Sequence, residues 1–239
     1  AGLSSTAIGE TAAALKQNGI AIGKNAKAGT SAATASSDSD AVAIGTDSTA
    51  YEKDTVALGN TAKATADSAT ALGKGAKASQ VYATAVGLDT VADGNSALAA
   101  GSGAAARANS ATAVGNDAQA LGTDASAFGR DAQAAEEHTV AVGSSTRATA
   151  AGAIAVGNDA QATAADAAAI GKHSRASSTR ATAVGNSANA AGVSSVAVGD
   201  NAQAQNDYAV SIGAGSAASA IAATAIGNDA KAKHWSSVA

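Results

Sequence analysis

The side chains with chemistry to offer are His138, His173 and His234, a recurring set of aspartates, and abundant serine. Histidine is the common metal ligand and the side chain best placed to move protons near neutral pH. These three histidines occupy different places in a 14-residue repeat and lie many coils apart, so they do not converge within one chain. Asp47, Asp89, Asp117, Asp131, Asp159 and Asp229 each stand two residues after a regularly spaced glycine. Such a carboxylate ladder could collect the several oxygen ligands that calcium takes. The glycine-rich nonapeptide of calcium-binding β-rolls is absent, however. Aspartate and asparagine also favour turns by bonding their own backbone. The aspartates therefore read as turn residues, as do Asn60, Asn116, Asn158, Asn186 and Asn228 just after the glycine.

Serine hydrolysis needs a nucleophile, a histidine and an acid in fixed geometry. No Gly-x-Ser-x-Gly elbow is present. Neither is a phosphate loop or a dinucleotide fingerprint. Gly101-Ser102-Gly103 falls at a corner of the repeat, where structure accounts for it. No enzyme, cofactor or metal is expected. There is no Cys, hence no disulfide and no thiol chemistry. Net charge is −4 with both signs scattered, which gives no basic footprint for nucleic acid or an anionic membrane. No apolar run has the length of a membrane span, so no direct membrane contact is expected. The lack of any Met predicts a fragment of a longer chain.

What could position any of these groups is decided by the repeat. Glycine recurs every 14 residues from Gly45 to Gly227 without a miss, and Gly9 and Gly23 are also 14 apart. Between Gly23 and Gly45 the interval is 22, one period plus eight residues. This gives sixteen repeats in one domain over residues 1–239, with a loop insertion at 29–39. The residue two before the glycine is Ala in fifteen repeats, with Ser211 the exception, and the residue five after it is Ala in all sixteen. The residue three after it is always Ala, Ser or Thr. Alternation with period two is a strand signature. Each repeat thus holds two short strands, one through Val42-Ala43-Ile44 and one through Ala118-Gln119-Ala120 and their equivalents. Glycine turns the corner between them. The expected fold is all-β, a parallel solenoid of 14-residue coils. Sixteen rungs at the inter-strand spacing give a rod on the order of 75 Å.

With 74 Ala and only 2% aromatic residues, the core must be narrow. The two alanine columns are assigned inside. That turns the other face of the second strand outward, where twelve coils carry a polar residue such as Lys27, Thr49, Lys63, Lys77, Gln119 or Gln133. It also turns outward an apolar ladder on the first strand. Its members are Val42, Ile44, Val56, Leu58, Leu72, Val86, Leu98, Val114 and Phe128 in the first part of the chain. It continues through Val140, Val142, Ile154, Val156, Ile170, Val184, Val196, Val198, Val210, Ile212 and Ile226. A stripe of this length exceeds what a soluble monomer exposes. It predicts a closed cyclic oligomer, taken here as a homotrimer with the ladders on its axis. No histidine lies in this column, so axial ion binding through histidine is not expected.

The columns resemble the head domain of trimeric autotransporter adhesins, the YadA-like heads. Their motif is roughly Ser-Val-Ala-Ile-Gly, two variable residues, then Ala-x-Ala. The closest copies are Ser195-Val196-Ala197-Val198-Gly199 and Ala41-Val42-Ala43-Ile44-Gly45-Thr46-Asp47-Ser48-Thr49-Ala50. The first motif position is usually Ala here, as in Ala111 or Ala181, and the Val is often Thr, as in Thr112 or Thr182. The resemblance covers essentially the whole chain. It implies a left-handed trimeric β-roll on the bacterial cell surface, anchored to the outer membrane by a C-terminal region not in this sequence. It also implies attachment to host cells or to matrix proteins such as collagen. The alternatives from sequence are a spacer without a ligand of its own and, more remotely, an ice-binding array built on Thr70, Thr84, Thr112 and Thr182. Loop 29–39 and the aromatics Tyr51, Tyr82, Tyr208 and Trp235 are further candidate contact points.

Overall fold

The computed structural model describes residues 3–29 and 40–239. These form two compact units, Ala1–Ala120 and Leu121–Ala239. Each unit contains eight coils, and no helix occurs among the described residues. A coil has a three-residue strand such as Val42–Ile44 and a two-residue strand such as Thr49–Ala50. Within each unit, first strands pair only with first strands and second with second, all parallel and in register. The period therefore survives as geometry: Val42 sits on Val56 and Thr49 on Lys63. The insertion at 29–39 falls outside the described residues except for Gly29, whose backbone has φ +81°.

Both corners of a coil follow one plan. At the first, the amide of Ala62 donates to the carbonyl of Gly59 at 3.2 Å, closing a four-residue turn. At the second, Ala69 donates to Ala66 at 3.0 Å. The third residue of each turn is left-handed: Thr61 at φ 58° and Ser68 at φ 56°. Such a turn favours Gly, Asn and Asp at that place. Asp47, Asp89, Asp117, Asp131, Asp159 and Asp229 all occupy it, with φ between 51° and 57°. The coil is thus two seven-residue halves, a symmetry hidden in the sequence because the second corner lacks a fixed residue type. It accepts Asp54, Tyr82, His138, Arg180 and Ala222, all with φ between 54° and 59°.

The column glycine answers two demands. At Gly59 φ is +137°, a region essentially closed to side chains. A Cβ there would also lie 2.5 Å from the carbonyl oxygen of Gly73 in the next coil. One glycine backbone packs directly on the next, which is why no other residue enters the column.

The core is narrower in chemistry than the sequence suggested and broader in extent. Four columns are inside rather than two. Beside the two alanine columns, the residue four before the glycine and the residue three after it are buried. Ala111, Ala181, Ala118 and Ala188 are each 0% exposed. Every buried apolar residue among the described residues is alanine. Where Ser or Thr replaces it, the hydroxyl donates to the carbonyl three residues back and closes the turn a second time. Thr55 does so to Glu52 at 2.7 Å, Ser48 to Gly45 at 2.8 Å and Ser195 to Gly192 at 2.7 Å. Ser211, the one break in the alanine column, is bonded to the buried Ser216 at 2.7 Å, so the two polar groups satisfy each other.

Candidate functional site

The groups with chemical potential are dispersed. His138 and His173 stand at turn positions, 3.8 Å from Asp124 and 3.6 Å from Asp159 of the neighbouring coil. The His234 amide donates to Ser237 Oγ at 3.3 Å. No three metal-ligating side chains gather among the described residues. Four of the asparagines after the glycine, Asn60, Asn116, Asn158 and Asn186, are bound to a neighbouring coil, while Asn228 bonds Asp229 beside it. The amides of Asn60, Asn116 and Asn158 donate to the backbone carbonyls of Thr46, Ser102 and Ser144 at 3.0–3.2 Å. These side chains hold coils together.

What the fold offers instead is two outward faces. The first is the apolar ladder. In the first unit Leu58, Leu72, Val86 and Leu98 are 36–39% exposed, while Val42, Ile44, Val56 and Val114 are half-buried. In the second unit Phe128, Val142, Ile154, Ile170, Ile212 and Ile226 are exposed. Val140, Val156, Val184, Val196, Val198 and Val210 are half-buried. All of these side chains lie outside the alanine core, as alternation requires. Thr84 pairs with Thr70, but Leu98 follows on its other side, so threonines form no continuous row.

The second face carries the polar column of the second strand and, on either side of it, the residues two and six after the glycine. One cluster crosses it. The carboxylate of Asp93 accepts from Ser79 Oγ at 2.6 Å and Lys77 Nζ at 2.9 Å, and Arg107 lies 3.8 Å away. Partial burial alone pushes this carboxyl up, but the Ser79 hydroxyl, the Lys77 ammonium and the Arg107 guanidinium together hold it below the usual aspartate value. Nearer the start of the chain a shallow groove is lined by Thr11, Asn25, Lys27, Asp47, Thr49, Thr61 and Lys63. Its wall is a chain of side-chain bonds from Thr11 to Asn25 and from Asn25 to Asp47.

Aromatic side chains mark the corners. Tyr51, Tyr82, Tyr208 and Trp235 are 37%, 65%, 60% and 75% exposed. The burial of the first motif position also removes one apparent departure from the surface. Ala111, Ala181 and Ser195 face the core, so the choice between Ala and Ser there changes turn closure and leaves the outer faces untouched.

No curated protein matches the chain. The family model for the YadA head domain repeat, however, matches residues 1–26, 39–62, 64–90, 120–146, 148–174, 176–202 and 190–216. Each segment spans about two of the coils described above. With a glycine corner, an alanine core and an outward aliphatic ladder recurring through both units, the chain belongs to the YadA head domain repeat family, the YadA-like heads of trimeric autotransporter adhesins.

Proposed function

We propose that this chain is the head of a bacterial surface adhesin that attaches the cell to host surfaces or matrix proteins such as collagen. In this reading it is one head domain over residues 1–239, its coils wind left-handed, and three copies pack their apolar ladders on a common axis. The parent protein is held at the outer membrane by a segment outside this sequence, and the head is not catalytic. The observation that carries the reading is the apolar ladder. It is solvent-facing in the single chain, from Leu58 and Leu72 in one unit to Ile170 and Ile212 in the other. Residues of this kind, in register in each unit, suit burial against identical copies. Assembly would present equivalent polar flanks, and repeated weak contacts would add as avidity.

Light scattering tests the assembly: a trimer is expected, and Ile170→Asp with Ile212→Asp should give monomers. A stable wild-type monomer would refute it. A solid-phase screen of the trimer against matrix proteins and host cells tests the attachment. Binding to none of them would leave the head as a spacer that projects another domain.

A further inference from the structure

The outer column of the second strand carries no acid in any coil, although acids outnumber bases in the chain by 19 to 15. Within it the two units repeat one arrangement. In the first, Lys27 and Lys63 flank Thr49 through direct strand pairing. In the second, Arg147 and Arg175 flank Gln161 in the same way. In each case two cations are two coils apart, roughly 10 Å at the inter-strand spacing, with one neutral hydrogen-bonding side chain between them. All four cations are exposed, and none is within ion-pair distance of a carboxylate among the described residues. Lys77, by contrast, is neutralised by Asp93. The Lys27–Lys63 pair edges the shallow groove. Tyr51, 37% exposed, follows Thr49 by two residues in the column of Asp93, which reaches Lys77 on this same face.

We propose that this face binds a linear acidic polysaccharide in which a uronic acid alternates with a neutral sugar. In such a chain one sugar advances about as far as one coil. Carboxylates on every second sugar would then meet the cations on every second coil, while hydroxyls of the neutral sugar meet Thr49 or Gln161. Tyr51 offers an amphipathic ring for a sugar face. Asp47 on the far wall of the groove is hydrogen-bonded to Asn25 and is the one anion there. The proposal extends the adhesin reading and rests on this flank being free in the assembly.

The test measures binding of a hyaluronan oligosaccharide to the intact protein by calorimetry, at low and physiological salt. Lys27→Gln with Lys63→Gln, and Arg147→Gln with Arg175→Gln, should each weaken binding at its own site about tenfold and leave the other site unchanged. Glutamine already fills this column at Gln119, Gln133 and Gln203, so these variants keep the fold, and a matching circular dichroism spectrum checks it. The decisive variant, made with Lys27→Gln and Lys63→Gln so that only the second site remains, is Gln161→Arg with Arg175→Gln, which keeps both charges of that site but places them on adjacent coils. It should lose as much as removal of the pair. Unchanged binding by that variant would overturn the proposal, since charge alone would then suffice. So would equal binding of single-stranded DNA or dextran, or no binding of hyaluronan. A matrix-protein screen on the same samples reports separately on the adhesin reading.

Discussion

Gly73 and Gly75 stand two residues apart at one corner, and the same substitution at each should have different consequences. At Gly73 φ is +135°, and an added Cβ would lie 2.2 Å from the carbonyl oxygen of Gly87. The three nearest atoms are all backbone of Gly87. The conformational cost is about 1–3 kcal/mol. Relieving the overlap costs a further ~1–3 kcal/mol of misfit. The bond from the Gly87 amide to the Leu72 carbonyl, 2.7 Å long, sits where the coils must part. Gly73→Ala should therefore destabilise its neighbourhood by about 2–6 kcal/mol, the sum of these costs. At Gly75 φ is +69°, and the nearest obstacle is the Oδ1 of Asp89, the end of an exposed side chain that can turn away. Thr61 and Asp89 hold the equivalent place in the adjoining coils. Gly75→Ala should cost only ~1 kcal/mol. Coils contact only their neighbours, so the effect is local. Hydrogen exchange reads it best: exchange about thirtyfold or more faster at the Gly87 amide in Gly73→Ala, and much less in Gly75→Ala. Equal acceleration in both variants would refute the argument from backbone contact.

Asp93→Asn should lower stability near neutral pH by up to ~1 kcal/mol, the range of a partly exposed ion pair. Because the native carboxyl titrates below the ordinary value, the wild-type contribution is complete well above pH ~4 and is lost as pH falls through the native value. The urea midpoints of wild type and variant should converge in acid; a constant gap would mean that the charge is not what matters. Ala222→Gly relieves a left-handed alanine, with φ 54°, at a second corner. It should raise the local stability by up to ~1 kcal/mol, and slower exchange at the Ala222 amide would register it.

The repeat was legible because both of its anchors are chemical absolutes. Only glycine fits a backbone at φ near +130°, and only a side chain as small as alanine, or at Ser211 serine, fits between two strands packed back to back, as Ala43 and Ala50 do at 0% exposure. The second corner was not legible. A left-handed turn residue costs little enough that Tyr82, Arg180 and Ser96 all serve, so no column of one residue type forms. The third and fourth core columns were half-hidden for a related reason. Ser and Thr mingle there with Ala and read as polar, until their hydroxyls are seen closing turns onto Gly87, Gly171 and Gly213. The outward direction of the aliphatic ladder followed from alternation alone. The outer column of the second strand read as bland because its members differ in type. Their common feature, the absence of acid and the two-coil spacing of unpaired cations, emerges only when the coils are stacked.

The interchangeability of coils has a genetic consequence. Within a unit the backbone of a column glycine such as Gly59 packs against the carbonyl of the next column glycine, Gly73, and any coil can supply that neighbour. Loss or gain of fourteen codons within a unit, as replication slippage over repeated DNA produces, would join one such neighbour to another without altering the cross-section. The reach of the protein can then change between lineages in steps of one rung, while every rung remains the one that was already tested.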